Sequence, residues 1–374
     1  MNVSRETGLG WPASPPVESS GLGWETTTSP ATSTAPPVLP EPGAGETAQG
    51  AEDSVADAGS PLARIIAAEG RRRRALSAAV TERPAHTRIL TVANQKGGVG
   101  KTTSVVNLGV ALAQAGMRVL VLDMDPQGNA STALGVPHHA EVAGVYDVLV
   151  DDLPLAKVVQ ESSSVSGLWC APATIDLAGA EIELVPMEAR ESRLSTALSA
   201  YLQERVGPDR LDFVLIDCPP SLGLLTVNAF VAAGEVLIPI QCEYYALEGV
   251  SQLLRNIELI QAHLNPALTI STVLLTMYDA RTRLSWQVAE EVRSHFAEQT
   301  LKSHIPRSVR ISEAPSHAES VMTYDPHSTG ALSYREAAVE MIAARPRGPQ
   351  AGSSALSDST AQSVIQQPEG VDHE

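Results

Sequence analysis

A glycine-rich octapeptide between an apolar strand and a helical pattern constrains the fold of this chain more than any other feature. The octapeptide, residues 96–103, reads KGGVGKTT; the apolar run Ile89–Ala93 precedes it and the helical pattern Thr102–Ala115 follows it. A strand, a glycine-rich loop and a helix in this order form a phosphate-binding loop, in which backbone amides surround a polyphosphate at the positive end of the helix. The sequence therefore predicts a fold built around a bound nucleotide.

The residues of this loop have different expected roles. Lys101 is expected to contact the β- and γ-phosphates, and the Thr102 hydroxyl to ligate Mg²⁺. The common pattern G-x-x-x-x-G-K-[ST] has a glycine where Gln95 stands, whereas here an extra lysine, Lys96, opens the loop. The remaining residues expected around the phosphates are Gly97, Gly98, Val99, Gly100 and Thr103.

Three aspartates follow two further apolar runs. Asp123 and Asp125 come at the end of the run Val119–Asp123, and Asp217 ends the run Phe213–Asp217. Because the carboxyl ends of parallel strands meet at one edge of an open α/β sheet, these carboxylates are expected beside the phosphates. Asp217 fits a Walker B position, from which a carboxylate holds Mg²⁺ through water. One member of the D-x-D pair could orient the attacking water while the other supports the metal shell.

Short apolar runs and helical patterns alternate between residues 86 and 345. The further strands expected are Leu168–Ala171, Val236–Ile240 and Thr269–Met277, and the further helices are Ala246–Leu264, Leu284–Gln299 and Ala331–Ala344. Continuous apolar strands separated by helices indicate a parallel sheet that is covered on both faces. We therefore predict an α/β fold, with a doubly wound, mostly parallel sheet and helices on both faces, in one P-loop domain over 86–345.

Composition separates this core from both ends of the chain. Residues 1–60 are rich in Pro, Gly, Ser and Thr, and the tail 346–374 is polar, so both segments are predicted to be disordered. Ser60-Pro61 predicts the start of a short basic helix or linker over 61–85. Its four arginines at 71–74 are either a contact for DNA phosphates or a solvated face. The arm contains GLGW twice, either as a docking motif for a partner protein or as a chance duplication.

Charge, hydropathy and cysteine content exclude several classes of protein. The net charge is −17, but residues 244–310 carry seven Lys/Arg against six Asp/Glu, so the total does not exclude a nucleic-acid partner. The absence of an apolar run of about 18 residues and of a signal-peptide pattern predicts a cytoplasmic protein without membrane binding. Side chains without metal-ligand spacing, and therefore without an expected metal, are Cys170, Cys218, Cys242, His317 and His327. The cysteines are expected to be small buried residues.

The loop with its extra lysine resembles the deviant Walker A group of ATPases, which includes ParA, MinD, the nitrogenase iron protein and the arsenite-pump ATPases. Three longer segments resemble the ParA/Soj branch of that group: DPQGNAS at 125–131, IPIQCEYYALEGVSQLL at 238–254 and IPRSVRISEAPSHAESVMTYDPHSTGA at 305–331. The resemblance covers roughly residues 86–344. It implies an enzyme that binds ATP or ADP with Mg²⁺, hydrolyses ATP and forms a nucleotide-sandwich homodimer when ATP is bound.

The resemblance also implies roles for single residues. Lys96 would reach the phosphates bound by the partner subunit and, with Lys101, take part in catalysis. Asp125 would position the attacking water, and Asp123 would be its more structural neighbour. The residues implied to lie near the adenine or to sense the nucleotide are Pro306, Arg307 and the segment 243–249.

The same resemblance implies a function in DNA segregation. The ATP-bound dimer would bind DNA without sequence preference and be nucleoid-associated, and a ParB-like DNA-binding protein would stimulate its slow hydrolysis of ATP. Arg281, in MYDARTRLS, resembles a family segment in which a DNA-contacting arginine occurs. Further candidates, chosen by charge alone, are Arg255, Arg283, Arg293, Lys302 and Arg310. Phosphate neutralisation requires only Lys or Arg on a shared face, and the alternative is that these are ordinary surface side chains.

Other members of the group explain less of the sequence. The chain ends in SVIQQPEGVDHE, which is polar and acidic, whereas MinD would end in a basic amphipathic helix that binds membranes. The cysteines do not match the cluster ligands of the nitrogenase iron protein. Two alternatives stay open. One is a ParA-like positioning ATPase for polar or other cellular cargo, with the arm docking to a polar protein. The other is a small-molecule ligase or reductase, for which we see no second substrate-binding element.

Overall fold

The computed structural model describes residues 60–244 and 246–344, which contain an eight-stranded sheet in the order β3-β4-β2-β5-β1-β6-β7-β8. The strands are β1 Arg88–Val92, β2 Val119–Asp123, β3 Gln160–Glu161, β4 Leu168–Ala171, β5 Phe213–Asp217, β6 Glu235–Gln241, β7 Thr269–Tyr278 and β8 Thr300–Pro306. Within this sheet every pair of neighbours is parallel except β3 with β4. The predicted, mostly parallel sheet is confirmed.

Helices cover both faces of the sheet. They are α1 Pro61–Ala78, α2 Lys101–Gln114, α3 Asn129–Ala133, α4 Val145–Leu149, α5 Leu177–Glu183, α6 Arg193–Gln203, α7 Leu224–Ala232, α8 Ala246–His263, α9 Arg283–His295, α10 Val309–Glu313, α11 Val321–Tyr324 and α12 Thr329–Ala343. Helices α4 to α9 pack in one hydrophobic core, and α2, α3 and α10 to α12 pack in the other. Along β5, Val214 and Ile216 belong to the first core and Phe213 and Leu215 to the second, as the alternation of a strand requires. The fold is doubly wound, as predicted.

The register of the three central strands brings the predicted polar residues together. Strand β5 lies between β1 and β2, and Asp217 at its end is opposite both Val92 and Asp123. The glycine-rich loop opens at Lys96, and three residues separate it from the end of β1 at Val92. The loop, the D-x-D element and Asp217 therefore share the carboxyl edge of the sheet.

Several elements differ from the sequence expectations. Strand β8 was not predicted, because it is an edge strand whose two buried apolar residues, Leu301 and Ile305, are separated by polar ones. The helix expected over Leu284–Gln299 ends at His295, since Phe296 leaves the helical region with φ −125° and ψ 47°. Strand β3 and helices α3 to α7, α10 and α11 were also not predicted.

The segment 61–85 contains a longer helix than expected. Helix α1 has 18 residues, about five turns, and the Ser60 side chain caps its first turn by accepting a backbone N–H at 3.3 Å. The helix packs against α12, where Arg72 donates to both carboxylate oxygens of Glu336 at 2.8 and 2.5 Å. A basic helix therefore begins at Ser60-Pro61 as expected, but it extends over five turns and is fixed to the core.

The remaining expectations concern composition and the chain ends. All three cysteines are buried and free, as expected. In the described part of the chain, no helix is long and apolar enough to cross a membrane, and no group of three His, Cys, Asp or Glu residues could hold a metal ion. The predicted disordered arm, apart from Ser60, and the predicted tail lie outside the described residues.

Candidate nucleotide-binding site

The glycine-rich loop joins β1 to α2 in a backbone shape that its glycines permit. Gly98 and Gly100 have φ angles of 74° and 89°, in the left-handed region that residues with a Cβ rarely adopt. Helix α2 begins at Lys101, so the amides of its first turn are free to meet an anion at the loop. From β7, the Thr276 hydroxyl donates to the carbonyl of Val99 at 2.9 Å and holds the loop against the sheet.

Lys101 is almost fully buried in this loop, with 8% of its surface exposed. Burial lowers the pKa of Lys101, and the neighbouring carboxylates of Asp217 and Asp125 oppose that shift. Among the described residues no ion pair reaches its ammonium group. A buried ammonium near two carboxylates, without a direct partner, fits a ligand for phosphate.

Asp217 ends β5 with a fully buried carboxylate. Neither of its oxygens accepts a hydrogen bond from the described residues. Burial raises the pKa of Asp217 well above its usual range, the Asp123 carboxylate adds to the rise, and the nearby Thr102 hydroxyl opposes it. An unpaired buried carboxylate is costly unless a cation compensates its charge. Asp217 and Thr102 therefore fit Mg²⁺, which usually takes few protein ligands beside phosphate oxygens and water.

Asp123 is tied to the protein more tightly than Asp125. Its Oδ2 accepts hydrogen bonds from the backbone N–H and the hydroxyl of Ser131 at 2.8 and 2.7 Å. Burial raises the pKa of Asp123 to about 6, and the bonds from Ser131 oppose that rise. Asp125 is partly exposed and accepts from the backbone N–H of Gln127 at 3.0 Å. The geometry gives Asp123 a structural position and leaves Asp125 able to face a ligand.

Removing the unpaired carboxylate should stabilise the nucleotide-free protein. A carboxyl group whose pKa is raised by folding binds more protons in the folded chain than in the unfolded chain. Its contribution to stability therefore falls as the pH rises above the ordinary value of 3.8. Above about pH 5 we expect Asp217→Asn to have a higher unfolding temperature than the parent and a free energy of unfolding that is larger by about 1 kcal/mol or more. At about pH 4 the two proteins should be equally stable.

Thermal unfolding without nucleotide from about pH 4 to about pH 8 measures this difference. Asp151→Asn, which removes an exposed carboxylate, is the matched control. Equal stability of parent and Asp217→Asn at the upper end of the range would show that Asp217 is not an uncompensated charge.

Lys96 lies at the outer rim of the loop. Its Nζ is 3.8 Å from a carboxylate oxygen of Glu243, which also binds Arg307 at 2.8 Å. The backbone N–H of Lys96 donates to Asn94 Oδ1 at 3.0 Å. An acid outside the loop thus holds the extra lysine at the rim and connects it to one of the two residues expected near the adenine.

A cavity of about 240 Å³ lies between the loop and the end of β8. Gly100 and Thr103 line it on the loop side, and Pro306 and Arg307 line it on the β8 side. The structure therefore brings the two expected adenine neighbours next to the phosphate loop. A larger cavity of about 390 Å³ between α4 and α6 contains none of the predicted residues, and we give it no part in the site.

The candidate DNA-contacting cations lie on several elements. Arg255 is on α8, Arg283 and Arg293 are on α9, Arg281 precedes α9, Lys302 is on β8 and Arg310 is on α10. Those in ion pairs with a nearby acid are Arg281 with Asp279 at 2.7 Å, Arg293 with Glu290 at 3.0 Å and Arg310 with Glu313 at 3.2 Å. Helix α10 packs in the opposite core from α8 and α9, so Arg310 does not share their side of the sheet.

Two supporting residues of the site were not predicted. Ser131, which binds Asp123, stands at the end of DPQGNAS, where a hydroxyl in the first turn of α3 was the available signal. Thr276, which binds the loop, is a polar residue near the carboxyl end of an apolar strand. Both contacts depend on the tertiary fold, although Ser131 is only eight residues from its partner.

Comparison with known proteins gives consistent matches. A family model described as an AAA domain matches residues 87–270. The sporulation initiation inhibitor protein Soj of Bacillus subtilis is 54% identical over 256 residues, which are 68% of this chain and 98% of that protein. The chromosome partitioning protein ParA of Caulobacter vibrioides is 49% identical over 255 residues, 68% of this chain and 94% of that protein.

Among solved structures, the chain is similar to cobyrinic acid a,c-diamide synthase from Mycobacterium smegmatis with a bound ATP analog and magnesium. That chain is 39% identical with a TM-score of 0.58, and the match covers 68% of this chain and 94% of that one. The similarity thus extends over nearly the full length of each of these three proteins.

Proposed function

This chain belongs to the ParA/Soj family of chromosome-partitioning ATPases, and on that premise we propose that it is an ATP-driven DNA-segregation protein. The observation that carries the proposal is a loop with a buried and a rim lysine, Lys101 and Lys96, beside the unpaired carboxylate of Asp217. In this proposal ATP-bound copies pair and the pairs bind DNA without sequence preference. A ParB-like protein on DNA stimulates their slow hydrolysis of ATP.

The residues at the carboxyl edge of the sheet divide the nucleotide chemistry between them. Lys101 and the loop amides hold the phosphates, and Thr102 and Asp217, the latter through water, hold Mg²⁺. When bound, Mg²⁺ neutralises charge that develops on the transferred phosphate. Asp125 orients the attacking water, and Asp123 keeps the D-x-D element in place through Ser131.

The adenine occupies the cavity between the loop and β8. Pro306 offers an apolar surface to one edge of that cavity, and Arg307 closes it with its guanidinium held by Glu243. A volume of about 240 Å³ suits a base better than a whole nucleotide, since the phosphates would lie in the open loop.

Pairing of two ATP-bound copies depends on Lys96 in this proposal. Its ammonium lies at the rim beside Glu243 rather than deep in its own loop, so it can turn to the nucleotide of a second copy. Pairing also doubles the number of cations that face the same way, which strengthens attraction to DNA phosphates.

Arg281→Glu is expected to weaken ATP-dependent retention on non-specific duplex DNA. The Arg281 side chain is 86% exposed, and its guanidinium binds both carboxylate oxygens of Asp279 at 2.9 and 2.7 Å. Freeing it with Asp279→Asn should therefore strengthen retention. Each phosphate contact that is lost lowers the slope of log K against log salt concentration, the salt slope, by about 0.9.

Retention with ATP and with ADP, over a series of salt concentrations, tests both variants and the proposed function together. Lys157→Glu changes an exposed lysine in a short turn between α4 and β3 and serves as the control. Identical retention by Arg281→Glu and Asp279→Asn would mean that DNA binds elsewhere. Retention that never depends on ATP would reject the switch itself.

Two alternative functions differ in cargo or substrate. A positioning ATPase for polar or other cellular cargo would use the same switch, and a ParB-like protein that leaves ATP turnover unchanged would favour it. A ligase function is suggested by the name of the M. smegmatis structure, but the chain is 39% identical to that protein and 54% identical to Soj. We therefore favour DNA segregation.

A further inference from the structure

The four consecutive arginines of α1 do not share one environment. Arg72 and Arg73 turn towards the core: Arg72 binds Glu336 and the Ser333 hydroxyl on α12, and Arg73 donates to the carbonyl of His327 at 2.6 Å. Arg71 and Arg74 are exposed. The run is therefore neither one DNA contact nor one solvated face, because the helix divides it in two.

The outward side of α1 is a stripe of three arginines. At 3.6 residues per turn, Arg64, Arg71 and Arg74 fall within an arc of about 80° on the side away from Arg72 and Arg73. All three are exposed, and none forms an ion pair within the described residues. The single acidic residue of α1, Glu69, lies on the inner side, where it binds Arg73 at 2.9 Å. Helix α1 thus presents a cationic face that no acid of its own neutralises.

The contacts of α1 fix the orientation of this face. Arg72, through Glu336, and Arg73, through the carbonyl of His327, hold the middle of the helix against the core. Ten residues separate Arg64 from Arg74, so the stripe is about 15 Å long. That length matches the rise of about four base pairs of duplex DNA, which carries a dense row of phosphates.

Helix α12 connects α1 to the edge strand on which one of the candidate DNA-contacting cations stands. Arg72 of α1 binds Glu336 of α12 at 2.5 Å, and Glu340 of α12 accepts the backbone N–H of Lys302 on β8 at 2.7 Å. The Lys302 side chain is exposed. Helix α1 precedes residue 87, where the match to the family model begins, so its cations are additional to that matched region.

We infer that the outward face of α1, through Arg64, Arg71 and Arg74, binds the phosphates of duplex DNA. The inference extends the proposed DNA binding but does not require the ATP switch, because the stripe exists in a single copy of the chain. It adds a weak, nucleotide-independent attraction to DNA, which pairing then doubles.

The test compares the full chain with a triple alanine variant at the three arginines and with a triple lysine variant that keeps the charge. Retention on non-specific duplex DNA is measured over a salt series, with ATP and without nucleotide. We expect the triple alanine variant to lose the nucleotide-independent retention, because a single copy loses three phosphate contacts and up to about 2.7 of its salt slope. In the ATP-bound pair, which carries six of these arginines, the salt slope should fall by up to about 5.4. The triple lysine variant should behave as the parent.

The other outcomes show whether the stripe alone is wrong or the proposed function fails with it. If the triple alanine variant is retained as the parent is, with an equal salt slope, the stripe is not a DNA surface although the proposed function stands. If the parent shows no retention in any nucleotide state, both fail.

Ile65 and Ile66 beside the stripe are 62% and 61% exposed, which would also suit a lipid surface. Binding of the parent to vesicles of anionic lipid, lost in the alanine variant while DNA retention is unchanged, would overturn the inference.

Discussion

A Lys96→Ala variant is expected to bind ATP with Mg²⁺ but to stay monomeric at concentrations where the parent chain pairs. Two nucleotides that face each other across an interface repel, and a cation from each copy must lie between them. Lys101 is buried in its own loop, whereas Lys96 is at the rim beside Glu243, so Lys96 is the lysine available to a second copy. We expect pairing to weaken by about 100-fold, or about 3 kcal/mol, in sedimentation velocity with ATP.

Two control variants distinguish a role of Lys96 in pairing from a role in nucleotide binding. Lys101→Ala should lose nucleotide binding itself, which a fluorescent ATP analogue reports. Glu243→Gln removes the acid that holds Lys96 and should leave pairing as strong as in the parent or stronger. If Lys96→Ala pairs like the parent, the extra lysine has no role across the interface. If it fails to bind ATP, its role belongs to its own loop.

An Asp125→Ala variant is expected to bind ATP and pair, but to hydrolyse ATP roughly 10²–10⁴-fold more slowly. Asp125 is partly exposed at the carboxyl edge of the sheet, and its carboxylate is free to hold the attacking water once phosphates fill the loop. Without that carboxylate, the water has no oriented acceptor for its proton. Phosphate release under single turnover, together with the lifetime of the ATP-bound pair, measures the effect.

The neighbouring aspartate is the matched control for Asp125. Both oxygens of Asp123 accept hydrogen bonds, unlike those of Asp217, and an asparagine has only one acceptor oxygen. Asp123→Asn should therefore break bonds to Ser131 or to the backbone N–H of Asp125 and lower the thermal stability. A stable Asp123→Asn variant without hydrolysis, beside an Asp125→Ala variant with normal turnover, would exchange the two roles.

The site could be predicted from sequence where its chemistry is local. The loop, the D-x-D element and Asp217 each follow an apolar run, and the carboxyl ends of parallel strands meet at one edge. The pairing of Asp217 with both Val92 and Asp123 supplies the register that makes this edge a single site. Because these residues follow neighbouring parallel strands, their meeting at one edge of the sheet could be predicted from the sequence.

The parts that could not be predicted depend on contacts between distant segments. Thr276 holds the loop through Val99, which is 177 positions away, and no local pattern connects them. The arginine run at 71–74 looked uniform because its division follows from the position of α12, to which Arg72 binds through Glu336. Strand β8 was missed since an edge strand with two buried apolar residues has little periodicity.

The burial of all three cysteines has a practical consequence for labelling chemistry. Burial raises the pKa of Cys218 and of Cys242 to about 12, and raises the pKa of Cys170 well above its ordinary value. Because the thiolate is the reactive form, the folded chain offers almost no nucleophile to a maleimide at neutral pH. A single cysteine engineered on an exposed surface would therefore carry a fluorophore or spin label selectively, with the native sequence left intact at its three thiols.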